Sequence, residues 1–62
     1  MDRMIIERKT GNFDYLEIVL CKIENDYTPF VTYLYNSTDN GYYHGSYHTS
    51  LLEAVNDFND RS

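Results

Sequence analysis

The chain has 62 residues, with ten acidic side chains against five basic ones and a formal charge of −5. A chain of this length makes one small domain that buries only about 60% of its unfolded surface, with little material for a water-excluding catalytic pocket. The acidic balance excludes duplex DNA and anionic membranes from the expected partners, since phosphate binding needs clustered Lys and Arg.

The single cysteine, Cys21, forbids an intrachain disulfide, and a lone thiol fits a reducing compartment. No apolar run is long enough for a signal peptide or a membrane span. The expected location is cytoplasmic.

The first strand is predicted over 3–9, where Met4, Ile6 and Arg8 alternate with Ile5, Glu7 and Lys9. Gly11-Asn12 follows, a pair that tolerates the positive φ of a tight hairpin. The second strand, 15–23, is apolar on both faces and therefore expected to be central. Leu16, Ile18 and Leu20 fall on one side; Val19, Cys21 and Ile23 fall on the other.

"ENDYTP" reads as a loop, with Pro29 fixing φ before a third strand over 30–36 that is rich in β-branched and aromatic residues. Asn40-Gly41 supplies another turn tolerant of left-handed backbone. The fourth strand, 42–48, carries Gly45 in its middle, a sign of a bulge or of close approach by another group.

A helix is predicted over 51–60. Ser50 is its N-cap and Glu53, three residues on, completes a capping box. Leu51, Ala54, Val55 and Phe58 form one apolar stripe at 100° per residue. The fold class is α+β: a four-stranded antiparallel sheet followed by one C-terminal helix packed on one sheet face.

His44 and His48 are four residues apart, which on a helix would aim both rings at one metal. On a strand the same spacing separates them by about 13 Å. No metal or cofactor site is expected, and both read as ordinary edge-strand side chains. Cys21 lies in the most apolar strand, where it reads as a small buried hydrophobe and not as a nucleophile. No catalytic constellation remains, so the chain is not expected to be an enzyme.

The tyrosines stand out, seven in number with no tryptophan. Tyr33 and Tyr35 share one face of the third strand, and Tyr43 and Tyr47 share one face of the fourth. In a hairpin these four rings meet across the strands. Such a face suits a protein-binding anchor, base stacking on single-stranded nucleic acid, or the core of a homodimer. It equally suits a small sheet that stabilises itself with aromatic pairs. Strands three and four hold no Lys or Arg to follow phosphates, which favours protein. Glu53, Asp57 and Asp60 gather on one side of the helix. They are either a solvated face or a set of charges that steers a basic partner protein.

The second half, "FVTYLYN", "GYYHGSYH" and "SLLEAVNDFNDR", resembles very small acidic proteins encoded by phages and integrating elements of Gram-positive bacteria. The resemblance covers residues 29–61 and ends in the pattern formed by Asp57, Phe58 and Arg61. It implies a setting in which short acidic proteins bind and block host proteins, including restriction and CRISPR effectors. It carries no functional residue, because the pattern is one of fold.

Overall fold

The computed structural model describes residues 3–61. Four strands, β1 (Arg3–Thr10), β2 (Leu16–Ile23), β3 (Phe30–Asn36) and β4 (Gly41–His48), precede one helix, α1 (Leu51–Asp60). The strands pair antiparallel in chain order, so each joins its neighbour through a short connection, and β1 and β4 are the edges. α1 lies over β2, β3 and β4, and β1 reaches it through Lys9, whose ammonium donates to the Asn59 carbonyl at 3.5 Å and lies 4.9 Å from the Phe58 ring centroid. None of the described residues form a helix long and apolar enough to cross a membrane.

The alternation along β2 and β3 feeds two separate cores. On the helix side, Ile18 and Leu20 bury against Ala54 and Phe58, with Phe30, Leu34 and Val55 closing around them. On the opposite side Val19, Cys21, Val31 and Tyr33 are buried together, flanked by Ile23 and Tyr35. That second core has no helix over it. Its cover is made by the sheet's own long side chains, so one helix suffices for a sheet that is apolar on both faces.

Both edge strands carry a bulge. In β1, Ile5 faces Cys21 and Glu7 faces Leu20, which leaves Ile6 as the extra residue. In β4, Ser46 faces Thr32 and Tyr43 faces Leu34, so His44 and Gly45 together oppose Tyr33. His44 takes φ 54, in the left-handed region, and supplies the kink. Asn40, at φ 55, does the same for the β3–β4 turn. No described glycine has positive φ, so the β1–β2 connection does not use Gly11 in the expected way. It closes instead through the Gly11 amide, which donates to the Leu16 carbonyl at 2.8 Å, and the Leu16 amide, which donates to Phe13 at 2.9 Å.

Ser50 caps α1 in extended conformation, its hydroxyl accepting from the Glu53 amide at 3.2 Å. The expected capping box is only half made. The Glu53 carboxylate takes the Thr49 hydroxyl at 3.2 Å, a residue earlier than the box requires. At the far end the Arg61 amide closes onto the Asp57 carbonyl at 3.1 Å.

Candidate functional site

The β4 bulge decides which tyrosines meet. A strand that alternated without interruption would put Tyr43 and Tyr47 on one face. The extra residue reverses every side chain before it, so Tyr42 pairs with Tyr35 and Tyr43 pairs with Leu34. Tyr43 therefore lies on the helix side of the sheet, where its hydroxyl donates to Asp39. That hydrogen bond to a carboxylate, with the charge of Asp39 behind it, raises the Tyr43 pKa. The four-ring face consists of Tyr33, Tyr35, Tyr42 and Tyr47, with Tyr42 in the place expected for Tyr43.

These rings form a connected array on the face opposite α1. Tyr33 sits at its centre, edge-on to Tyr42 at 5.1 Å and to Tyr47 at 6.5 Å between centroids. Tyr42 also meets Tyr35 at 5.0 Å. The Tyr33 and Tyr47 hydroxyls lie 3.4 Å apart, and Tyr35 donates to the Asn40 side chain at 2.6 Å. Tyr33 is buried, whereas Tyr42 and Tyr47 remain 37% and 55% exposed. The array is thus a fixed base carrying two rings that water reaches. Burial, and then the hydrogen bond with Tyr47, raise the Tyr33 pKa, which keeps the central ring a neutral phenol.

Arg3 adds a cation that the sequence did not point to. Its guanidinium carbon lies 4.1 Å from the Tyr42 centroid and 4.9 Å from that of Tyr33. A guanidinium over two aromatic faces is held by the ring quadrupoles and keeps its in-plane N–H groups available. Arg3 comes from β1, two strands away from β3 in the sheet, and no local pattern in β3 or β4 announces it. Tyr42 was more accessible: Gly45 already signalled a bulge, and a bulge reverses the alternation before it.

The acidic stripe divides. Glu53 and Asp60 are exposed on α1, but Asp57 is a structural hub. Its Oδ2 accepts from the buried Thr32 hydroxyl and lies 3.2 Å from both His48 Nε2 and Arg61 Nε. Arg61 then reaches the Ser46 hydroxyl at 2.8 Å and the carbonyl of the bulge residue His44 at 2.9 Å. Burial opposes the Asp57 charge, yet the Thr32 hydrogen bond, Arg61 and His48 together hold its pKa below the ordinary carboxylate value. Its charge is neutralised locally, so Asp57 is not a free steering group. The stripe and the four-tyrosine face also lie on opposite sides of the sheet.

Hydroxyl, imidazole and carboxylate are thus close together, but not in the order nucleophilic catalysis needs. A relay places the imidazole between the hydroxyl and the acid. Here Thr32 and His48 both address the same oxygen of Asp57, and the Thr32 hydroxyl is fully buried. Cys21 is buried on the other side of the sheet from His48, and burial raises its pKa, which opposes thiolate formation. Among the described residues no three of His, Cys, Asp and Glu converge as a metal site.

Comparison with protein-family models, with curated proteins and with solved structures gives no match for this chain. Its function is read from its own surface.

Proposed function

We propose that this chain is a non-enzymatic protein-binding module, and that its anchor is the face formed by Tyr33, Tyr35, Tyr42 and Tyr47 with Arg3. The observation that carries the reading is the state of that face: two exposed tyrosines braced on a buried third and flanked by a stacked guanidinium. Tyr and Arg dominate interface hot spots because they bring large contact area and directed donors at small entropic cost. The role implied by the resemblance of residues 29–61 is that of a mobile-element inhibitor or modulator of a host nucleic-acid-handling protein. The formal charge of −5 suits such a target, since a basic nucleic-acid channel attracts an acidic protein from a distance.

Affinity capture from a Gram-positive host lysate tests this reading when wild type is run beside the Tyr42→Ala, Tyr47→Ala double variant. A host protein retained by wild type and lost with the folded double variant supports it. A partner retained equally by both places the anchor elsewhere.

Arg3 over the rings favours a second reading, single-stranded nucleic acid stacked on Tyr42 and Tyr47. Fluorescence anisotropy with labelled oligonucleotides at low salt separates the two. Binding that weakens with salt and is lost in Tyr42→Ala selects nucleic acid, and a flat titration removes it.

A further inference from the structure

The sheet divides the charges of this chain. Register places Arg3 beside Ile23, Arg8 beside Val19 and Glu17 beside Tyr35, all on the side of the second core. Glu7, Lys9 and Lys22 fall beside Leu20, Ile18 and Phe30 on the helix side, where α1 adds its acidic residues. The strand charges of the tyrosine face are therefore two arginines and one carboxylate, in a chain whose formal charge is −5. Arg8 and Glu17 face each other at 3.9 Å. Among the described residues no carboxylate forms an ion pair with Arg3.

Arg3 is nevertheless held in place. It stands at the Ile23 end of β1, whereas Tyr42 pairs with Tyr35 at the level of Glu17 and Thr10, the opposite end. The 4.1 Å contact between the guanidinium and the Tyr42 ring thus crosses the face on its diagonal, above the second core. The side chain is a strap that rests on Tyr42 and Tyr33, and Arg3 remains exposed. A guanidinium held over rings keeps the N–H groups of its edge. Two parallel N–H groups on one edge match the two oxygens of a carboxylate. Exposed Tyr42, Tyr47 and Ile5 supply apolar contact area on the same face.

We propose that this face recognises a side-chain carboxylate of its partner protein, an Asp or Glu that Arg3 grips by two N–H groups while an apolar neighbour packs on Tyr42 and Tyr47. The inference rests on the protein-binding reading of the same face and names what that face selects. One guanidinium without an ion pair fits one carboxylate. A nucleic-acid backbone needs a row of cations, and the other arginine on this face already stands opposite Glu17.

Two capped pentapeptides test it, one alternating Glu with Leu and one carrying Gln in place of each Glu, titrated into the full chain at low salt and followed by amide NMR. The Glu peptide is expected to shift the amides of Arg3 and Tyr42, and the Gln peptide to bind about tenfold more weakly or worse. Arg3→Lys keeps the charge but loses the fork, and should weaken the Glu peptide by a similar factor. Lys22→Gln removes one positive charge from the helix side and should leave the affinity unchanged. Thermal melts confirm that both variants are folded. The proposal is overturned if neither peptide binds, if the two bind alike, or if Lys22→Gln weakens binding as much as Arg3→Lys. A labelled oligothymidylate that binds more tightly than the Glu peptide also overturns it, in favour of nucleic acid. A lysate partner lost with Tyr42→Ala, Tyr47→Ala but retained by Arg3→Gln would leave the protein-binding anchor standing and remove the carboxylate alone.

Discussion

Gly45 lies directly against the Tyr33 ring: a Cβ placed on Gly45 would come within 2.8 Å of Tyr33 Cε1. The bulge brings the β4 backbone this near, and only a glycine leaves room for the ring on which the second core closes. Tyr33 is buried and cannot swing aside without opening its contacts with Tyr42 and Tyr47. Gly45→Ala is therefore expected to destabilise the protein by about 1–3 kcal/mol, an overpacking cost. A lowered midpoint in chemical denaturation would show it. A midpoint unchanged from wild type would mean that the ring does not pack here.

How much was legible follows from the range over which each signal acts. The strands of the meander and the capped helix come from local alternation and helical spacing, and the architecture read from them is the one observed. Gly45 also marked the bulge. What local pattern did not fix was the consequence of that bulge, the exchange of Tyr43 for Tyr42, because counting by twos assumes an unbroken pleat. Contacts made across the sheet were also out of reach. Arg3 on the tyrosines and Asp57 under Thr32 and His48 join residues that only the tertiary fold brings together.

That exchange can be checked by comparing two neighbouring alanine substitutions. Tyr42→Ala removes two aromatic contacts and the stacking surface of Arg3, whereas Tyr43→Ala removes a hydroxyl bond to Asp39 on an exposed ring. Aromatic pairs add about 0.5–1.5 kcal/mol each beyond the area they bury, so Tyr42→Ala should cost clearly more stability than Tyr43→Ala. Melting curves of the two variants decide the matter. The reverse order would restore the uninterrupted register.

Asp57 makes the stability depend on acid in a defined direction. Its pKa is lower in the folded protein than the ordinary value of 3.8, so below that value the unfolded chain binds the proton more readily. The stability it contributes is complete above the ordinary value and is lost as pH falls through the depressed folded one. Asp57→Asn is expected to lower stability at neutral pH, since His48 and Arg61 lose their carboxylate, and to flatten the acid limb of the stability curve. Denaturation midpoints measured from neutral pH down to pH 3 would read both effects. An acid limb as steep in Asp57→Asn as in wild type would assign the dependence to other carboxylates.

His44 holds the bulge in a backbone region that costs a residue with a Cβ about 1–2 kcal/mol, and the Arg61 guanidinium secures its carbonyl from the end of the helix. Two substitutions should separate the conformation from the side chain. His44→Gly relieves the left-handed strain while leaving the carbonyl in place, and is expected to keep or slightly raise stability despite the added freedom of the unfolded chain. His44→Val places a branched Cβ in the same conformation and is expected to lower stability by more than about 1 kcal/mol. Thermal melts give the order directly. If the valine variant matches wild type, the strand at residue 44 is extended, and the tyrosine register that depends on the bulge fails with it.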